Sequence, residues 1–267
     1  MDLRLQGKSA IVSGGSKGIG KAVARQLARE GVDVALAARD MHDLAAAARQ
    51  IAEETGRRVI PIPTDTGDDA RVREMVAMAA TTLGRIDILV NAAAQPGGQS
   101  GKPPGLADTT VEMFNAEMNT KVMGYLRTAR EVVPYMRRNG WGRIINISGL
   151  AARSTGSILG SVRNVSVSAL TKNLADELGP SGINVVCVHP AHTRTEKTPG
   201  VMQRMAAAQG ISIGEVERQL GSKTTLGRII DAEEVADVIA FLCSPRSVAI
   251  NGDSIAVGGG AKGSIHY

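Results

Sequence analysis

The sequence predicts an α/β fold: a doubly wound parallel sheet of about seven strands, with helices on both faces, in a single domain spanning 1–267. Three observations predict it. Short β-branched runs alternate with longer amphipathic stretches along the whole chain. The strand runs are apolar throughout rather than alternating, which marks strands buried on both faces. No linker-like or low-complexity stretch divides the 267 residues, a length that fills one large core.

The expected strands are 8–14, 33–38, 58–63, 86–91, 143–148, 183–188 and 254–258. Helical periodicity falls between them, near 18–31, 41–54, 68–83, 111–138, 160–178 and 232–243. Strand, helix and parallel strand in succession require right-handed crossovers, which wind the sheet in both directions from its centre. Two segments break the rhythm. The run "QPGGQSGKPPG" (95–105) reads as loop from its Gly and Pro content. The stretch 191–226 follows a strand and is too long for a plain connection. One or two short helices are expected in it, and an insertion at such a place reads as a substrate-binding lid.

Composition removes several functions. Hydrophobic residues make up 43% and aromatics 2%, so the core is aliphatic and offers little for stacking bases. The net charge of +5 comes from 31 basic residues scattered among 26 acidic ones, so nucleic acid is not an expected partner. No apolar run has the length of a membrane span, and the first residues lack the apolar core of a signal peptide. Cys187 and Cys243 lie in apolar runs and read as buried free thiols, consistent with the cytoplasm. No Cys/His cluster suggests a metal.

After the first strand comes "SGGSKGIG" (13–20), in which Gly14, Gly18 and Gly20 open a helix. A glycine-rich turn lets backbone approach a diphosphate, and the helix N-terminus offers unpaired N–H groups and a positive dipole end. Between a strand and an amphipathic helix this pattern reads as a dinucleotide site. Ser16, Lys17 and Ile19 lie in the same turn. The second strand ends at Ala38, followed by Arg39. A carboxylate there would hold a ribose 2′-hydroxyl, whereas Arg39 and Lys17 favour a 2′-phosphate. NADP(H) is therefore expected over NAD(H). Asp40 is read as the N-cap of the next helix.

These features resemble the short-chain dehydrogenase/reductase family, with matches from about Leu5 to Gly260. "SGGSKGIG" is similar to its T-G-x-x-x-G-I-G. Asp65 and Thr66 match a pair that meets adenine. "LVNAAA" (89–94) resembles L-V-N-N-A-G, keeping Asn91 and placing Ala92, Ala93 and Ala94 after it. Asn119 is aligned with the structural asparagine of the helix between the fourth and fifth strands. "HPAHTRT" (189–195) resembles P-G-x-x-x-T through Pro190 and Thr195, and Gly258 stands where aspartate is common. The resemblance implies a Rossmann-type fold, a small-molecule substrate, a homodimer or homotetramer, and hydride transfer between nicotinamide and a carbonyl or alcohol.

That chemistry needs a proton donor for the substrate oxygen. The family places a serine after the fifth strand and Y-x-x-x-K on the next helix, the lysine cation lowering the phenol pKa. Here "LTKNLADELGPSGINV" (170–185) fixes the register, and the tyrosine and lysine positions fall on Gly160 and Asn164. The serine position aligns with Gly149, with Ser148 one place early. Asn119 and Ser148 are thus the expected catalytic residues. Asn164, Arg163 and His192 are possible substitutes, along with Ser157 and Ser161. Losing a positioned acid or base removes about 10²–10⁴ in rate. Three readings stay open: redox chemistry through substitute groups, a non-redox hydratase or lyase reaction in the same pocket, or a catalytically silent nucleotide-binding partner subunit.

Overall fold

The strands form where unbroken aliphatic runs allow burial on both faces: β1 (Ser9–Ser13), β2 (Asp33–Ala38), β3 (Val59–Pro63), β4 (Ile88–Asn91), β5 (Gly142–Ile147) and β6 (Ile183–Pro190). Two short strands, β7 (Thr193–Arg194) and β8 (Ile230–Asp231), pair with each other, and β9 (Ser254–Val257) is the last. In this computed structural model residues 1–94 and 103–262 are described; most of the expected 95–105 loop, and Tyr267, lie outside the described residues. The sheet is parallel in the order β3-β2-β1-β4-β5-β6-β9. All seven sequence-expected strands are in it.

The helices are α1 (Gly18–Arg29), α2 (Met41–Thr55), α3 (Asp69–Leu83), α4 (Val111–Glu117), α5 (Gly124–Asn139), α6 (Ile158–Leu178), α7 (Thr198–Gln209), α8 (Ile213–Ser222) and α9 (Ala232–Leu242). Capping sets several boundaries. Asp40 accepts from the Asp43 N–H at the start of α2, as expected, and Ser157 accepts from the Gly160 N–H at the start of α6. Helices α1, α2 and α9 cover one sheet face through Leu27, Leu44, Val235 and Ile239. Helices α3, α5 and α6 cover the other through Met75, Val132, Met136 and Leu178.

One departure from the sequence reading bears on the site. The stretch 111–138 is not a uniform helix, because α4 and α5 are joined by a π-helical segment, Met118–Met123. A π turn adds a residue to the local repeat and rotates the side chains that follow.

Candidate active site

The sheet reverses its winding between β1 and β4, and a crevice opens there at the carboxyl ends of the strands. The backbone leaves β1 through Gly14, whose left-handed φ of +69° puts its Cα against β4. A Cβ at Gly14 would lie 2.7 Å from the Ala92 carbonyl, and one at Gly20 would lie 2.3 Å from Gly14 O. The turn therefore admits only glycine at these two places. Ser13 Oγ accepts from the Ala92 and Ala93 N–H groups at 3.2 and 3.3 Å, tying β1 to the residues after β4. At the start of α1 the Gly18 N–H donates to Glu196 Oε1 at 2.9 Å. A carboxylate standing where a phosphate oxygen would bind shows that this turn accepts anions, so these residues fit a dinucleotide diphosphate.

A cavity of about 1600 Å³ runs from this turn across the sheet edge. Gly14, Ser16, Lys17, Gly18, Ile19 and Gly20 line one end, with Arg39 beside them. Asp65, Thr66, Ala92 and Ala93 line the middle, and Pro190 and Thr195 lie across from them. Every expected cofactor residue but one is thus brought together. The exception is Asn91, which is buried inside the sheet. It donates to Asn146 Oδ1 at 2.9 Å and accepts from Thr128 Oγ1 at 2.7 Å, locking β4 to β5 and α5. Lys17 pairs with Asp43, which raises the lysine pKa and lowers that of the carboxyl, chiefly through their hydrogen bond. Asp40, His42 and Asp43 converge on the surface here, with Asp40 occupied as a cap and Asp43 by Lys17.

At the other end the structure corrects the sequence reading. Asn119 is exposed and turned away from the cavity: it donates to Gly67 O at 3.4 Å and accepts from Arg127 Nη2 at 2.8 Å. Two residues on, within the π segment, Lys121 turns inward instead. Its Nζ donates to Asn164 Oδ1 at 3.0 Å and to Ser148 O at 2.9 Å, with the side chain buried and the residue lining the cavity floor. An ammonium thus stands beside Asn164, carried there by the segment between α4 and α5. Burial, and then the nearby Arg163 cation, lower the Lys121 pKa to about 7. Among the described residues no tyrosine lines the cavity; Tyr125, nearest in the chain, is fully buried and donates to Ile147 O at 2.9 Å. Burial raises its pKa.

Ser148 and Asn164 do line the cavity, but Ser148 Oγ donates to Asn164 O at 2.9 Å, so the hydroxyl is turned to the helix backbone. Arg163 lines the cavity and is paired with Glu117, a bridge between α6 and α4. Ser157 and Ser161 are structural, one capping α6 and the other donating to Ser154 O at 2.9 Å.

The segment after β6 folds into α7 and α8, packed on each other through Met202, Ala206, Val216 and Leu220. Met202, Met205 and Leu220 wall the cavity, and a side chamber of about 110 Å³ opens between Leu150, Leu220 and Ile229. His192 stands at the junction of the two. The protein around it, and then Lys223, lower its imidazole pKa below the ordinary value. Gly258 allows this packing, since a Cβ there would lie 2.7 Å from Leu150 Cδ1 and from Ala191 Cβ.

A family profile described as enoyl-(acyl carrier protein) reductase matches residues 14–262. The chain belongs to the short-chain dehydrogenase/reductase family. Dehydrogenase/reductase SDR family member 4 of Oryctolagus cuniculus is 32% identical over 98% of this chain and 96% of its own. The NADPH-dependent reductase BacG of Bacillus subtilis is 28% identical over 97% of this chain and 99% of its own. The crystal structure of L-sorbose reductase from Gluconobacter frateurii, complexed with NADPH and L-sorbose, superposes with a TM-score of 0.93 at 28% identity, covering 99% of this chain and 100% of that one. As a member of this family the chain is built as an oxidoreductase. Among the described residues no helix is long and apolar enough to cross a membrane.

Proposed function

We propose that this protein is an NADP(H)-dependent oxidoreductase acting on a carbonyl or alcohol substrate through a non-standard active site, with Gly160 and Asn164 where the family has tyrosine and lysine. The observation that carries this reading is the continuity of the cavity. One space joins the glycine turn, with Lys17 and Arg39 beside it, to the floor formed by Ser148, Lys121 and Asn164. The NADPH named for two of its relatives agrees with the two cations and the capping role of Asp40.

The amides at the start of α1 hold the diphosphate, Arg39 and Lys17 the 2′-phosphate, and Asp65 and Thr66 the adenine side. Ala92, Ala93, Pro190 and Thr195 flank the middle of the dinucleotide. Reduced nicotinamide, when bound, supplies a hydride to a carbonyl carbon. The chain's part is to orient the substrate, exclude water and deliver a proton to the oxygen. Helices α7 and α8 act as the lid over the substrate end, their methionines giving an adaptable apolar wall. The apolar residues exposed on α4 and α6, among them Val111, Met113, Val162 and Val165, support a homo-oligomer assembled through these helices. The buried free thiols Cys187 and Cys243 fit the cytoplasm.

The test is a fluorescence titration with NADPH, followed by turnover with a panel of ketones, diketones, ketoses and alcohols. Binding with turnover is the expected result. Tight NADPH binding without turnover of any carbonyl or alcohol would overturn the oxidoreductase reading in favour of a silent subunit or a non-redox enzyme.

A further inference from the structure

Carbonyl reduction leaves an oxygen that must gain one proton, and the usual phenol is missing. Resting on the reductase reading above, we propose that Lys121 is the catalytic acid of this site, donating its Nζ proton to the substrate oxygen while Asn164 and the Ser148 carbonyl hold the amine in place.

The geometry carries this. An ammonium has three N–H donors. Among the described residues two of them are taken up, by Asn164 Oδ1 at 3.0 Å and Ser148 O at 2.9 Å. The third is left for the cavity that Lys121 lines. Both acceptors are buried and rigid: Asn164 is in the middle of α6, and Ser148 N–H donates to Val188 O at 2.8 Å across the sheet. The side chain is therefore aimed, as a positioned acid must be.

Other groups suit the role less well. Arg163 is held by Glu117, and a guanidinium does not give up its proton. The Ser148 hydroxyl is turned to Asn164 O. His192 stands at the junction with the side chamber, and its lowered imidazole pKa leaves it mostly without a proton to give near neutrality.

The electrostatics fit the task. Facing Lys121 are Arg163 on α6, Glu117 on its own helix and the Cys187 thiol on β6. Burial and Arg163 outweigh the other two and bring the amine to about 7. An acid poised near the working pH transfers a proton most effectively. The step balances. The carbonyl carbon takes the hydride and the C=O electron pair moves to oxygen. The Lys121 N–H bond then breaks as the O–H bond forms, leaving an alcohol and a neutral amine. Water at the cavity mouth returns the proton to the amine.

Two measurements test this. In protein labelled at lysine ¹³Cε, one signal should titrate near neutrality without cofactor and vanish in Lys121→Gln. A Lys121 signal titrating at the ordinary lysine value overturns the proposal without any assay of activity. In turnover, Lys121→Arg keeps the charge and two hydrogen bonds but offers no transferable proton. Its kcat should fall about 10²-fold or more with the NADPH Kd unchanged. The wild-type rate should decline as pH rises through about 7, and that limb should be absent in the variant. Lys121→Gln should give a similar loss, which guards against a misfolded arginine variant. An active wild type with an equally active Lys121→Arg overturns this proposal alone; a wild type silent on every carbonyl overturns it together with the reductase reading.

Discussion

Lys121 Nζ and Asn164 Oδ1 lie 3.0 Å apart beneath the cavity, one from the π segment before α5 and the other from α6. The resemblance puts an asparagine on the first helix and a lysine on the second. In this chain the ammonium comes from the first of these helices and the amide from the second.

A buried ammonium makes folding sensitive to pH. In the unfolded chain this amine titrates near 10.5, and in the folded protein at about 7. Below about pH 7 both states carry the proton, and burying the charge costs stability in full. Between the two values the unfolded state binds the extra proton, so stability rises with pH by about 1.4 kcal/mol per unit from this group. Lys121→Met should remove that rise. Urea melts at neutral and mildly alkaline pH, compared between the two proteins, measure it. Equal pH slopes would show that Lys121 keeps its ordinary pKa.

A tyrosine placed at position 160 reports the charge on Lys121. Positions 160 and 164 share one face of α6. A Cβ at 160 would lie 2.8 Å from Ser157 Oγ, the end of a short side chain that has to rotate. Losing that cap costs about 1 kcal/mol, and replacing a helical glycine returns about as much. Gly160→Tyr should thus fold, and because Lys121 is already neutral where a phenol titrates, an ultraviolet absorbance titration should show no cation-driven drop below the ordinary tyrosine value. Adding Lys121→Gln should leave that titration unchanged; a phenol depressed in the single variant and restored by Lys121→Gln would show that Lys121 keeps its charge well above neutrality. Asn164→Lys, by contrast, sets a second cation beside Lys121 and should lower the melting temperature; a stable Asn164→Lys protein with unchanged Lys121 would contradict the pairing described here.

Fold and cofactor end were legible because their signals are local. Aliphatic runs such as "INVVCV" (183–188) have no stable place but a buried parallel strand, and the close approaches at Gly14 and Gly20 leave glycine as the only choice. The substrate end was legible only in its absences. Asn119 was aligned by resemblance, and the sequence reading held no sign of the π segment Met118–Met123, which changes the residues that face inward. A signal for Lys121 did exist: Tyr125, Ala129, Val132 and Met136 form the buried stripe of α5, and the stripe extended back one turn reaches Lys121. A lysine on a buried stripe is costly unless it is used. Asn91 was misplaced for another reason, since a motif residue beside the crevice reads alike whether it meets ligand or ties strands together.

Cofactor choice should respond to Arg39. It is exposed at the end of β2, where a carboxylate would select NAD(H). A charge-assisted bond to phosphate contributes about 1.5–3 kcal/mol. Arg39→Ala should therefore weaken NADPH about 10-fold or more and leave NADH nearly unchanged, as read by paired fluorescence titrations. Equal losses for both would mean that Arg39 does not meet the 2′-phosphate.

Glu196 should oppose cofactor entry. Its carboxylate accepts from the Gly18 N–H at 2.9 Å, where the helix dipole and free amides favour an anion. A diphosphate needs the same donor and repels the same carboxylate, so the two compete. An exposed anion at a helix start is worth about 0.3–1 kcal/mol. Glu196→Gln keeps the shape and removes the charge, and should tighten NADPH binding about 2–5-fold by that measure. The gain should be largest at low ionic strength, where screening is weakest, and should shrink as salt is added. Titrations of the two proteins across a salt series measure it. A Kd that is unchanged or raised at low salt would mean that Glu196 swings clear of the diphosphate path at no cost, or assists binding once displaced.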